Sequence, residues 1–206
     1  MRTFITIILL ILVVVGGILT YQRWQALNSF DKPQGNSIVF GNPHGTVTIV
    51  EYLDFTCPHC PVVHKVLWEA MKGDTRVKLI MRPFPLLGGN SEPIARMVFA
   101  ASKQGKMEEF AKVLLANHQN LDMVTIRTYA AQVGLDILQL EADVEESDVR
   151  GTVAAAIGSA RAMGIAAVPT YYFNGKKFMP EEGVPTVGDF KHMINEAERR
   201  TLDETE

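Results

Sequence analysis

Two cysteines, Cys57 and Cys60, are the only ones among the 206 residues, and they stand three positions apart with Pro58 and His59 between them. Thiols at this spacing can close a small disulfide ring and reopen it, so the pair reads first as a redox centre. A lone pair cannot staple a chain in the way disulfide-rich small domains are stapled, and a domain of this length needs no staple. Other chemistries compete. With His64 the pair makes a C-x2-C-x3-H arrangement, but structural zinc wants a fourth ligand and no other cysteine exists. Haem attachment needs a histidine after the second cysteine, where Pro61 stands. A Cu(I) carrier would bind through thiolates, but it is expected to hold its cysteines farther apart, with a partnering histidine.

The flanking residues say how such a pair is held. Thr46 to Asp54 is a long apolar run that reads as a buried strand ending just before Cys57. From Pro58 onward Val62, Val63, Val66, Leu67, Ala70 and Met71 recur at helical spacing, and a proline near the helix start costs no hydrogen bond. A strand-to-helix junction therefore carries the thiols. Cys57 falls at the exposed N-terminal end of this helix, where backbone donors and the helix dipole favour a thiolate. Cys60 falls one turn in and more buried. Glu51 is a charge inside the strand, six residues before Cys57, costly enough to suggest a role. The bland alternative is a structural ion pair with Lys78 on the next strand.

Around this junction the chain reads in order. Ser37 to Phe40 is a short strand, followed by the turn Gly41 to Gly45. Arg76 to Phe84 is a third strand candidate. Helical spacing then fills Ser91 to Gln104, Met107 to His118, Asp122 to Val133, Asp136 to Val144 and Ser147 to Met163, with Gly105 and Gly134 as stops. Strand texture returns in Thr170 to Phe173, Asn174-Gly175 signals a type I′ hairpin, and Lys176 to Met179 pairs back. Thr186 to Arg200 is a last amphipathic helix, and Leu202 to Glu206 an acidic tail. The order describes an α/β, thioredoxin-like fold over residues 37–206 with an all-helical domain spliced in at about 88–165.

With 47% hydrophobic residues the chain supports one full domain, and a net charge of -3 with pI near 6.0 and no Lys/Arg cluster argues against nucleic acid as a partner. No charged residue lies between Arg2 and Arg23. Such a run suits a signal anchor or transmembrane helix over residues 1–22, since about 20 apolar residues cross a bilayer and no Ala-x-Ala-like cleavage site follows; a cleaved signal peptide is the alternative. Residues 23–36, with Gln, Asn, Asp, Pro and Gly, read as a juxtamembrane linker.

Cys57-Pro-His-Cys60, together with Arg82-Pro-Phe-Pro-Leu86, Gln104-Gly-Lys, Gly134-Leu-Asp136 and Val168-Pro169-Thr170 before Tyr171-Tyr-Phe-Asn-Gly-Lys176, resembles the DsbA family of extracytoplasmic thiol-disulfide oxidoreductases over roughly Ser37 to Arg199. The resemblance implies that Cys57 is the attacking sulfur and Cys60 the resolving one, with Pro58 and His59 inside the ring tuning the pair. Pro169 would be a cis-proline facing the cysteines, with Val168 beside it, and Glu51 would help proton movement at Cys60. It further implies a redox-active disulfide as the only prosthetic chemistry. The expected substrates are reduced exported proteins, and the expected reoxidant is a DsbB-like quinone-linked membrane protein. The domain would face the periplasm or extracytoplasmic space from a single-pass anchor in the bacterial cytoplasmic membrane. A disulfide isomerase or a dedicated reductase is the neighbouring alternative.

Overall fold

A computed structural model describes residues 2–29, 37–119, 121–178 and 183–203. Its centre is a five-stranded sheet in the order β1-β3-β2-β4-β5, formed by Ile38–Gly41, Val77–Pro83, Val47–Leu53, Thr170–Phe173 and Lys176–Phe178. β2 and β3 run parallel, joined through α2 (Cys60–Met71), and the other pairings are antiparallel.

All seven residues of β2 are buried, as the unbroken apolar run requires of a central strand covered on both faces. Side chains alternate across the sheet. Ile49, Glu51 and Leu53 face α2 and the C-terminal helix α8 (Val187–Asp203), whose Phe190, Ile194 and Ala197 close that core. Val50 and Tyr52 face the other way with Ile80, Tyr172 and Ala160. Ala160 belongs to α7 (Ser147–Ala162), the last helix of an insertion that begins with α3 (Ser91–Ala100) and continues through α4 (Met107–Ala116), α5 (Met123–Gln132) and α6 (Ile137–Val144). Asp122 and Asp136 cap α5 and α6 by accepting from Thr125 N at 2.8 Å and Gln139 N at 3.0 Å. Gly105 ends the short 3-10 turn after α3 at φ 68°.

The β4–β5 turn has the positive φ values of a type I′ hairpin, 41° at Asn174 and 87° at Gly175. Asn174 does more than turn the chain. Its backbone N–H donates to Thr48 O at 2.9 Å and its Oδ1 accepts from Thr48 N at 2.6 Å. Its Nδ2 donates to Thr46 O, to Ala197 O and to Thr201 Oγ1. One side chain thus fastens the hairpin to the start of β2 and to α8.

At the N-terminus the structure differs from the sequence reading in two ways. Residues 23–29 are helical, because α1 (Arg2–Ser29) continues through Gln22-Arg-Trp-Gln-Ala-Leu27, a run of helix formers without Gly or Pro. The rest of the expected linker, 30–36, lies outside the described residues. The anchor over 1–22 is not supported either: among the described residues no helix is long and apolar enough to cross a membrane.

Replacing Asn174 by Ala removes the hydrogen bonds of its side chain and puts a β-carbon at positive φ. Chemical denaturation should show a loss of about 2 kcal/mol. Asn174→Gly, which relieves only the backbone term, should recover part of it; equal stability of the alanine variant and the parent would show that the hairpin is held elsewhere.

Candidate active site

The helix that carries the pair starts at Cys60, with His59 at its N-cap position and Pro61 in its first turn, two residues later than the spacing indicates. Cys57 lies before it in a turn of its own. Its N–H donates to Asp54 O at 3.0 Å, and its carbonyl accepts from Cys60 N at 3.3 Å. Cys57 is also less exposed than its place at a helix end suggests, at 5%. The loop before β4 covers it, and its Sγ donates to Val168 O at 3.7 Å. The Val168–Pro169 peptide bond is cis. Cys60 is fully buried, and burial pushes its thiol far above the ordinary range, with the adjacent Cys57 and Glu51 adding to the shift and a backbone hydrogen bond from Asp54 opposing it. Both cysteines are present as free thiols.

Pro58 and His59 are exposed at the tip of the turn. His59, Val63, Val168, Pro169, Lys177 and Val184 are among the residues that line a cavity of about 440 Å³ opening beside the pair. The site residues expected from the sequence thus converge on one end of the sheet, with Glu51 behind them.

Glu51 is fully buried and has other partners than Lys78. In register it lies between Met81 and Tyr171, whereas Lys78 is three residues from Met81 and so points to the opposite face of the sheet. Instead Tyr171 OH donates to Glu51 Oε1 at 2.8 Å, and Glu51 Oε2 meets His64 Nδ1 at 2.8 Å. Burial pulls the His64 imidazole down, but the charge of Glu51 and its hydrogen bond together outweigh this and hold the ring above its ordinary value. Burial, then the charge and hydrogen bond of Glu51, hold the Tyr171 phenol well above its usual range, so it remains a donor. His64 is therefore a partner of the buried carboxylate. That Glu51 needs a partner was visible in the sequence, but which residue supplies it depends on the packing of α2.

Sequence reasoning also passed over Asp54. This buried carboxylate accepts from Thr56 N and Thr56 Oγ1 through Oδ1, and from Leu86 N and Leu87 N through Oδ2, all at 2.8–3.0 Å. Thr56 Oγ1 in turn meets Ser91 Oγ at 2.8 Å. Asp54 therefore ties the turn before Cys57 to the loop after β3 and to the first residue of the helical insertion. The signal that could have found it is an acid at a strand end, followed two residues later by Thr, the pattern of a carboxylate closing its own turn. Among the described residues no group of three or more His, Cys, Asp or Glu side chains is arranged to hold a metal ion, and His64 is turned toward Glu51.

A family model described as Thioredoxin matches residues 33–196. Of solved structures, a thioredoxin-like oxidoreductase from Silicibacter pomeroyi DSS-3 superposes with a TM-score of 0.72 at 29% identity, covering 82% of this chain and 94% of that one. A periplasmic thioredoxin-like protein from Salmonella enterica serovar Typhimurium gives 0.72 at 16%, covering 84% and 96%. Wolbachia pipientis alpha-DsbA1 gives 0.72 at 19%, covering 87% and 99%; these two likenesses concern the fold alone. Among curated sequences, the Na(+)/H(+) antiporter NhaA 1 of Mycolicibacterium gilvum is 34% identical over 145 residues, 68% of this chain but 23% of that protein. The chain spans less than a quarter of the length of such relatives, so the ion transport in their names describes larger proteins and does not transfer. What the matches show is the frame: the chain belongs to the thioredoxin family, and its fold is the one seen in alpha-DsbA1.

Proposed function

We propose that this protein donates a disulfide to reduced exported proteins outside the cytoplasm, through Cys57 and Cys60. The observation that carries the reading is the asymmetry of the pair. Cys57 keeps 5% exposure under the Val168 carbonyl, next to a groove lined by its ring neighbour His59, whereas Cys60 is sealed behind it with a thiol that burial keeps protonated. A substrate thiolate can approach only Cys57. Its attack leaves a mixed disulfide on Cys57 and passes the electron pair of the broken bond to Cys60.

The groove beside Val168 and Pro169 suits an extended, partly apolar chain, with backbone groups of the loop before β4 available for pairing. His59, exposed in the ring, can donate to sulfur on either side of the exchange. The reaction needs no bound cofactor, because the two electrons reside in the pair, and a quinone-linked membrane protein of the DsbB kind is the reoxidant that fits a disulfide donor. Attachment to the cytoplasmic membrane through the N-terminal segment belongs to the same reading, supported by residues 7–21, which are uncharged and exposed throughout.

The equilibrium of the full chain with glutathione tests the direction of the reaction. A reduction potential near the roughly -120 mV of strong oxidants is expected; one below about -230 mV would make isomerase or reductase the better name. Cys57→Ser should abolish dithiol oxidation, and Cys60→Ser should accumulate mixed disulfides with substrate, visible by mass spectrometry. Adducts on Cys60 in a Cys57→Ser background would reverse the assignment. Asp54→Asn, which puts donors against the Leu86 and Leu87 amides, should slow dithiol oxidation on the order of tenfold by displacing the turn that holds Cys57. An unchanged rate would mean that the turn holds its shape without Asp54.

A further inference from the structure

His64 lies on α2 four residues after Cys60, on the same side of the helix. Its Nδ1 is hydrogen bonded to Glu51, and its side chain retains 11% exposure while Glu51 has none. It is thus the member of the buried group with access to water. We propose that His64 is the proton-supplying residue of the redox pair: through Glu51 it provides the proton that Cys60 takes up when the disulfide opens, and it refills from solvent along its exposed edge.

The inference rests on the functional reading above and adds a proton path to it. When a substrate thiolate attacks Cys57 Sγ, the S–S bond breaks and its electron pair moves to Cys60 Sγ. That sulfur is fully buried, so an unprotonated thiolate there is costly. Glu51 takes a proton from the His64 imidazolium and passes it to the Cys60 sulfur. The neutral imidazole is then reprotonated by water. The substrate's second thiolate next attacks its own sulfur in the mixed disulfide, forms the substrate disulfide and releases the Cys57 thiolate. Two electrons have passed to the pair, and the proton on Cys60 has come from solvent through His64.

The surroundings favour this route. From β2 the Glu51 carboxylate faces His64, and from β4 the Tyr171 hydroxyl fixes the other oxygen of that carboxylate. β1 contributes only the Phe40 ring, and Trp68 of α2 stacks on the imidazole at 6.1 Å and 28°. On α4 the Lys112 ammonium lies over the Phe40 and Trp68 rings at 5.3 and 5.7 Å and is paired with Glu108. Cys60 lies one turn before His64 on α2, and negative charge created at the pair on reduction strengthens the hold of His64 on its proton. The imidazole sits above its ordinary value in the folded protein. Its contribution to stability is therefore full below the unfolded value of about 6.5 and lost as pH rises through the folded one.

The test is a pair of imidazole titrations by NMR on the full chain, in the disulfide and dithiol forms, with His64 assigned through the backbone. The midpoint of His64 should be higher in the dithiol form; coincident curves would overturn the proposal. Between the two midpoints, the equilibrium constant with glutathione should change up to about tenfold more per pH unit in the parent than in His64→Gln. Gln keeps a donor for Glu51 but carries no titrating proton, so a parallel pH dependence would equally refute the proposal. If the variant does not fold, the two titrations of the parent decide alone. A pair that fails to equilibrate with glutathione at any pH would instead remove the functional reading, and this inference with it.

Discussion

A carboxylate with no exposure in the central strand of a sheet is expensive, and the arrangement of this protein follows from matching it. Glu51 would cost several kcal/mol if left without partners. Each of its oxygens has one: the Tyr171 hydroxyl from β4 and the His64 imidazole from α2. The second contact fixes how α2 rotates on the sheet, since His64 must face inward. With α2 so turned, Cys60, one turn earlier, also faces inward and is buried. The sealing of Cys60 is thus set by a polar contact beneath the pair.

The second buried acid works at a different level. Asp54 organises backbone: its carboxylate gathers amides from the turn before Cys57 and from the loop after β3, and its own carbonyl receives the Cys57 N–H. Through Thr56 and Ser91 the same cluster reaches the insertion. The helical domain is therefore joined to the redox loop by a short chain of side chains as well as by its two covalent connections.

Much of this was legible in order and little of it in depth. Strand and helix assignments follow from apolar periodicity, and Asn174-Gly175 names its turn type because both residues accept positive φ. The weaker family motifs Gln104-Gly-Lys and Gly134-Leu-Asp136 turn out to touch, since the Gln104 side chain makes hydrogen bonds of 3.1 and 2.8 Å to the backbone of Asp136. The partner of Glu51 was not legible. Adjacent strands suggested Lys78, but sheet parity sends that residue to the far side, and the true partner comes from a helix whose rotation the sequence does not state. The end of α1 was missed because polar residues were read as a linker although none of them breaks a helix before Ser29. Asp54 escaped because its hydrogen bonds go to backbone amides, which leave no mark in side-chain composition.

The two outer strands carry one more consequence. β1 is four residues long and ends on Gly41, and β5 is three residues long with Lys176 and Lys177 exposed. Edges so short and, on one side, so charged are poor templates for another strand. At its two edges the sheet therefore offers an incoming extended chain little to grow on, which leaves the groove beside the thiols as the place where such a chain can lie.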